Sequence, residues 1–362
     1  FLVEDSLNAL QKLALHHRKQ LKIPIIAITG SNGKTTTKEL IREVLSQKFL
    51  VHSTHGNMNN QIGVPITILQ ISKNHEVAII EMGANHQKEI EKLCSIAEPN
   101  WGYITNFGKA HLEGFGSEEG VIIGKSELYE YLGKNKGKIL VNKDDLIQVD
   151  KTKKYTRFFF GSKSECDIKI EYLESKNGLS VVFKKHKFKS PIHGNYNFEN
   201  IAAALSFGIL FEVDLNKIQK AIASYDSKNN RSEKIIINKT PFILDAYNAN
   251  PTSMGVALDS FCDKYSTNNL VILGDMFELG KQTFTEHENI LNKCLSLGIT
   301  KIFTIGSNFM STKVNNEKIE KFSNIEQFID SFEKSKVHFE SVLIKGSRSM
   351  KLEKLMPFFK SL

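Results

Sequence analysis

The sequence predicts an α/β protein in two parts. A P-loop-type central domain carries a mostly parallel sheet with a small antiparallel subsheet, and a doubly wound, Rossmann-like C-terminal domain follows it. Three observations predict this class. Short apolar runs alternate with helical stretches along most of the chain, the pattern of parallel strands joined by crossover helices. One such run, 23–28, leads straight into Thr29-Gly30-Ser31-Asn32-Gly33-Lys34-Thr35-Thr36-Thr37 and then into the helix-like stretch 38–45. A chain of 362 residues also exceeds one ordinary core, so two domains are expected.

Taken in order, Asp5 or Ser6 can cap a first helix whose apolar positions Leu7, Leu10, Leu13 and Ala14 recur at helical spacing. The first residues lack an initiator Met and read as the tail of something longer, so 1–22 is expected to be a linker or the remnant of an N-terminal domain. Strands at 25–28, 77–80 and 103–105 each run into a loop with polar or acidic residues, the strand ends where open α/β sheets bind ligands. Between 138 and 191 the period changes. Runs at 168–173 and 179–183 flank an Asn177-Gly178 pair that favours a hairpin turn, which predicts the antiparallel subsheet. A helix rich in Ala and Leu is expected over 198–211. The polar stretch 225–231 marks the boundary, giving a central domain over 23–228 and a C-terminal domain over 229–362. Beyond it, strands at 242–244, 270–273, 301–305 and 342–344 alternate with helices such as 253–265 and 284–297.

Composition narrows the class. Hydrophobic content of 41% and charged content of 24% are those of an ordinary globular protein, and no run approaches a membrane-spanning length. Phe1-Leu2-Val3 passes at once into Glu4-Asp5, unlike a signal peptide. Cys94, Cys166, Cys262 and Cys294 lie far apart and form neither metal-ligand nor redox spacing, so thiols in a reducing cytoplasm are expected. The net charge of +8 invites a nucleic-acid reading. The lysines are dispersed, however, and no basic–aromatic alternation accompanies them, so no nucleic-acid partner is expected.

The loop after the first strand carries the chemistry. Glycines let backbone N–H groups and a helix N-terminus point at one anion. Lys34 would add a positive charge at the β/γ-phosphates and Thr35 a hydroxyl for Mg²⁺. The general phosphate-loop pattern has a glycine at position 28, where this chain has Ile28. Glu81 ends the apolar strand 77–80 and suits a hard oxygen ligand for the same cation. His111, in the glycine-broken loop after the third strand, suits a metal or phosphate role. Lys125 reads by residue type as an exposed helix lysine. Asp245 ends a strand of the second half, where it either holds a ribose or caps the strand.

Together these stretches resemble the Mur ligases, ATP-dependent amide-forming enzymes of peptidoglycan precursor synthesis, and most closely their MurF branch. The resemblance rests on the Gly30–Thr35 loop and on Gly56-Asn57-Met58-Asn59-Asn60-Gln61-Ile62-Gly63-Val64-Pro65. It rests equally on Glu81-Met82-Gly83-Ala84-Asn85-His86, on Ala110-His111-Leu112-Glu113-Gly114-Phe115-Gly116-Ser117, on 245–254 and on Lys345-Gly346-Ser347-Arg348-Ser349. It implies a ligase joining D-alanyl-D-alanine to UDP-N-acetylmuramoyl-tripeptide through an acyl phosphate, cytoplasmic, monomeric and not inserted in a membrane. It implies an ATP site made of Gly30, Ser31, Asn32, Gly33, Lys34, Thr35 and Thr36, with Asn200 at the adenine and Arg231 and Asp245 at the nucleotide. By the same resemblance Thr35 and Glu81 hold one Mg²⁺, and His111 with a CO₂-derived carbamate on Lys125 organises a second. Lys34, His111 and Lys125 would then be the catalytic set. Asn59, Asn60, Asn85, His86, Asn248, Asn250, Ser347 and Arg348 fall on substrate loops. Members carry an N-terminal uridine-nucleotide domain of which this chain has almost none, so weak handling of that substrate is expected. The alternatives are another Mur-type or folylpolyglutamate-type ligase and, from a different class, a P-loop nucleotide switch or motor.

Overall fold

The computed structural model describes residues 2–175, 178–225, 231–335 and 339–361. Asn177 of the expected hairpin turn and most of the polar stretch expected at the domain boundary lie outside the described residues. The chain divides into two compact units. The first holds the described residues up to Gly108, Gly114–Pro191 and Asn197–Tyr225; the second holds Lys109–Glu113, Ile192–Tyr196 and the described residues from 231 on.

The first unit is built on one nine-stranded sheet. Its strands are β1 (Ile25–Thr29), β2 (Val51–Ser53), β3 (Val77–Glu81), β4 (Trp101–Ile104), β5 (Lys138–Asn142), β6 (Arg157–Gly161), β7 (Ile168–Ser175), β8 (Gly178–Phe183) and β9 (His186–Ser190). They lie in the order β2-β3-β1-β4-β5-β6-β7-β8-β9. Every pair from β2 to β7 is parallel, and only β7/β8 and β8/β9 are antiparallel. The antiparallel part is thus the far end of the main sheet, and the parallel pattern runs further than the change of period at 138 suggested. Short crossovers explain this: between β5 and β6 there is room only for the helix Leu146–Lys151. Strand β1 pairs with β3 on one side and β4 on the other, so the chain reverses direction across the sheet at β1. That switch point sets three carboxyl-terminal strand ends side by side.

The first helix, Ser6–Gln20, is capped by the Asp5 side chain, which accepts from Leu7 and Asn8 N–H. Of the expected apolar positions Leu7 and Leu10 are half-buried and Leu13 departs from the face, which Gln11 and Arg18 complete. Gln11, Ala14 and Arg18 are buried, while Leu13 is exposed. The long polar side chains face inward because backbone carbonyls wait for them. Arg18 donates to Ala97, Glu98 and Leu21 oxygens, and Gln11 donates to the Gln61 oxygen at 3.0 Å. This helix packs into the first unit.

The second unit carries a six-stranded sheet. Its strands are β10 (Glu233–Ile237), β11 (Thr240–Asp245), β12 (Asn269–Gly274), β13 (Lys301–Ile305), β14 (Ile319–Phe322) and β15 (Ser341–Lys345). The order is β10-β11-β15-β12-β13-β14, with β10/β11 antiparallel and the rest parallel. The core on one side of this sheet is aromatic: Phe242, Phe303, Phe322, Phe328, Phe332 and Phe359 pack together. The four cysteines are unpaired.

Candidate active site

In the first unit the ends of β1, β3 and β4 lie side by side. After β1 the chain turns through Gly30–Gly33 into the helix Lys34–Leu45, whose N-cap is Gly33. That helix has no side-chain cap and no acid in its first turn. A helix start of this kind, with the positive end of the helix dipole, favours an anion. By contrast Asp5, Ser117, Asp145 and Asp214 each cap their own helices. Gly33 sits at φ +78°, and a Cβ there would lie 2.7 Å from Asn200 Oδ1. Only glycine permits both the turn and that approach.

The loop is clamped from β4. Thr105 Oγ1 donates to the Asn32 oxygen at 2.6 Å, and Asn106 Oδ1 accepts the Asn32 N–H at 3.0 Å. Ser31 N–H bonds the Asn106 oxygen at 3.1 Å. Lys34 Nζ arches over the loop to the Gly30 oxygen at 2.6 Å. Thr35 and Thr36 are half-buried at the helix start. Asn200 is buried on the helix Asn197–Leu210, where its oxygen accepts from Thr37 Oγ1 at 2.8 Å and its nitrogen donates to Asn197 Oδ1 at 2.7 Å. Its amide thus ties the phosphate-loop helix to the next layer.

Glu81 closes β3 and is almost fully buried. Its backbone N–H donates to Thr54 Oγ1 at 2.9 Å, and its Oε1 accepts from Asn59 Nδ2 at 2.7 Å. Oε2 is buried without a hydrogen-bond partner. Lys125, expected by residue type to be exposed, is 1% exposed. Its Nζ lies 3.4 Å from the Ala84 oxygen and 5.0 Å from the centre of the Phe115 ring. Burial pushes its ammonium pKa well below the ordinary lysine value, and the Lys34 charge adds to that. Two residues on, Glu127 accepts the N–H groups of Lys88 and Glu91 and so caps the helix Glu89–Ala97 from outside. That holds the 84–88 loop against Lys125. Asn85 and His86 are exposed on this loop, where their N–H groups donate to Glu89 Oε2. Asn60 caps the following helix, its Oδ1 accepting from Ile62 and Gly63 N–H.

The second unit gathers the remaining candidates. His111, in the segment Lys109–Glu113, has φ +53° and its Nδ1 lies against the Glu278 carboxylate. The close approach of that ring lowers the Glu278 carboxyl pKa from its ordinary value. Lys109 Nζ pairs with Glu286 at 2.9 Å, and Glu113 N–H donates to the Glu278 oxygen at 3.0 Å. Asp245 and Lys345 end neighbouring strands in register, and Lys345 Nζ reaches Asp245 Oδ2 at 2.5 Å. Asp245 Oδ1 accepts the Ser232 N–H at 3.2 Å, and Lys345 also donates to the Asn248 oxygen at 3.3 Å. Both oxygens of Asp245 are therefore engaged by the protein itself. The Arg231 guanidinium stacks on Tyr247 at 3.5 Å from the ring centre. Asn250 caps the helix Pro251–Lys264 in a reciprocal box with Ser253. Ser347 is buried, with its N–H on the Asp275 oxygen, while Arg348 is exposed and paired with Glu353 at 2.8 Å.

Sequence reasoning gave no role of its own to Lys345, Glu278, Lys38 or the Thr105–Asn106 clamp. Lys38 is fully buried, donates to the Thr54 oxygen and pairs with Glu39 at 2.7 Å. A lysine in a helix or at a strand end carries no local sign of burial; only the register of β11 against β15 exposes the Lys345 pairing.

Comparison with known proteins agrees across both units. The Mur ligase middle domain matches residues 28–208, and the Mur ligase glutamate ligase domain matches residues 230–348. A Bacillus subtilis protein, UDP-N-acetylmuramoyl-tripeptide–D-alanyl-D-alanine ligase, is 31% identical over 98% of this chain and 80% of the relative. The crystal structure of MurF from Acinetobacter baumannii superposes with a TM-score of 0.90 at 29% identity, covering 100% of this chain and 82% of that one. MurF of Thermotoga maritima, solved in complex with ADP, gives 0.87 at 26% identity over 100% and 85%. The chain belongs to the Mur ligase family.

Proposed function

We propose, with that membership as premise, that this chain is the ATP-dependent ligase that joins D-alanyl-D-alanine to UDP-N-acetylmuramoyl-tripeptide. The observation that carries the ATP half is the uncapped helix N-terminus behind Gly33, with Lys34 over the loop and the buried Glu81 beside it. The substrate half rests on the likeness of the whole chain to ligases of that name.

The residues present fit a divalent cation. Glu81 Oε2 is a buried carboxylate oxygen without a partner, and the Thr35 hydroxyl opens the adjacent helix. Among the described residues no cluster of three or more His, Cys, Asp or Glu could hold a metal. That donor set suits Mg²⁺, which takes one or two protein oxygens and completes its shell with phosphates and water. Bound there with ATP, Mg²⁺ would neutralise charge on the transferring phosphoryl group. Glu81 and Thr35 would hold it, and a carbamate on Lys125 would serve a second ion. Lys125 suits carbamylation because only a neutral amine reacts with CO₂, and burial favours the neutral form.

In the reaction, a carboxylate oxygen of the tripeptide attacks the γ-phosphorus as the bond to ADP breaks, giving an acyl phosphate. The amine of D-alanyl-D-alanine then attacks the acyl carbon, phosphate leaves, and a proton is lost from nitrogen. Lys34 and the loop N–H groups stabilise the charge that builds on the phosphoryl oxygens. With ATP as co-substrate and four unpaired thiols, the cytoplasm is the compartment that suits the chain, acting as a monomer. Among the described residues no helix is long and apolar enough to cross a membrane.

The test is product mass. Supplied with ATP, Mg²⁺ and UDP-N-acetylmuramoyl-tripeptide, the protein should convert the tripeptide to the pentapeptide with D-alanyl-D-alanine and not extend it with single amino acids. A product carrying one added amino acid would transfer the assignment to another Mur-type ligase, and glutamate addition to a folate would transfer it to the folylpolyglutamate type.

A further inference from the structure

We propose that Asn59 is a positioning residue that aims the Glu81 carboxylate at the divalent cation. Residue type and family likeness place Asn59 on a substrate loop, but its side chain is spent elsewhere. Nδ2 donates to Glu81 Oε1 at 2.7 Å, and the Asn59 backbone oxygen accepts the Gly83 N–H at 2.7 Å. Asn59 therefore grips the strand end on both sides of Met82. A Cβ on Gly83 would lie 2.8 Å from Asn59 Oδ1, so this approach needs the glycine that stands there.

The grip leaves the carboxylate with unequal oxygens. Oε1 has a donor, whereas Oε2 is buried with no hydrogen-bond partner. Such an oxygen is costly unless something cationic or a donor meets it. An amide suits this task better than the alternatives. It satisfies one oxygen and stops the carboxylate rotating, yet adds no charge that would compete with the cation as a lysine or arginine would. The loop that carries Asn59 is itself supported. Asn60 Oδ1 accepts from Ile62 and Gly63 N–H, and Gln11 of the first helix donates to the Gln61 oxygen at 3.0 Å.

This inference rests on the assignment of Glu81 to the cation, and the experiment separates the two. Mn²⁺ serves as the probe for Mg²⁺, its binding to the protein with ADP followed by electron paramagnetic resonance. Wild type is compared with Glu81→Gln, Asn59→Ala, Asn59→Ser and Gln11→Ala. The serine variant keeps a polar loop side chain but cannot reach Oε1, which guards against a folding defect in the alanine variant; melting without metal checks both. Asn59→Ala and Asn59→Ser should bind Mn²⁺ about 10–100-fold more weakly, the usual loss when a ligand's supporting partner is removed. Gln11→Ala should stay within twofold of wild type. Turnover of the Asn59 variants should recover as Mg²⁺ is raised, with the KM for tripeptide unchanged. Intact Mn²⁺ affinity in both Asn59 variants, with a raised tripeptide KM, would overturn the proposal and return Asn59 to substrate contact. An equal loss in Gln11→Ala would overturn it in favour of loop folding. Intact affinity in Glu81→Gln would sink the cation assignment itself.

Discussion

At the scale of single residues, two lysines divide what local sequence can and cannot disclose. Lys34 is legible because its neighbours are: a glycine loop between a strand and a helix has few other uses. We expect Lys34→Ala to lower turnover by about 10²-fold or more, the usual loss of one transition-state donor. Steady-state kcat checks it, and near-normal turnover would sink the loop assignment. Lys125 is illegible by residue type. Its burial arises from packing against Ala84, 41 residues upstream, and against Phe115, ten residues upstream at the end of the preceding short helix. Lys125→Ala should be inactive and partly rescued by acetate or formate, and ¹³C-bicarbonate should give the wild type a carbamate carbon signal. A mutant that works unaided would exclude the modification. Asp245 shows the reverse case. Its position at a strand end was legible, but its pairing with Lys345 depends on the register of two strands 100 residues apart.

At the scale of elements, the strands that read most clearly are the fully buried ones, β1, β3, β12 and β15, since unbroken apolar runs mark parallel strands covered on both faces. The strands less visible in sequence, β2, β10 and β14, are short or half-exposed. The first helix reads as a helix with Leu7, Leu10 and Ala14 inward, but Gln11 and Arg18 share that face because they bury polar heads that a hydrophobic pattern cannot weigh. Gly33 belongs to this scale, since it joins a strand to a helix. Gly33→Ala should weaken nucleotide binding, because a Cβ meets Asn200 and φ is +78°; an unchanged ADP Kd would contradict the packing. Glu199, on the Asn197–Leu210 helix, gives a pH test. Burial, with Asp145 and Asp144 nearby, pushes its carboxyl up to about 7. The folded state then resists ionising it, so stability is full below the ordinary value of 4.5 and falls as pH rises towards about 7. Glu199→Gln should raise the melting temperature relative to wild type more at pH 8 than at pH 5. A difference independent of pH would remove the burial argument.

At the scale of the whole chain, two sheets in two compact units account for the length. The second unit depends on its aromatic cluster. Phe328 is fully buried among Phe303, Phe322 and Phe332, and Phe328→Ala should destabilise the chain by about 3–5 kcal/mol. Denaturant unfolding measures it, and a loss below about 1 kcal/mol would mean the cluster is not the core. What links the units to one reaction is the ligase chemistry, and it has a direct readout. Phosphate release from ATP should be measured with UDP-N-acetylmuramoyl-tripeptide and D-alanyl-D-alanine supplied together and singly. We expect sustained release only when both are present. Sustained release with neither, stimulated instead by nucleic acid, would contradict a ligase and favour a P-loop motor.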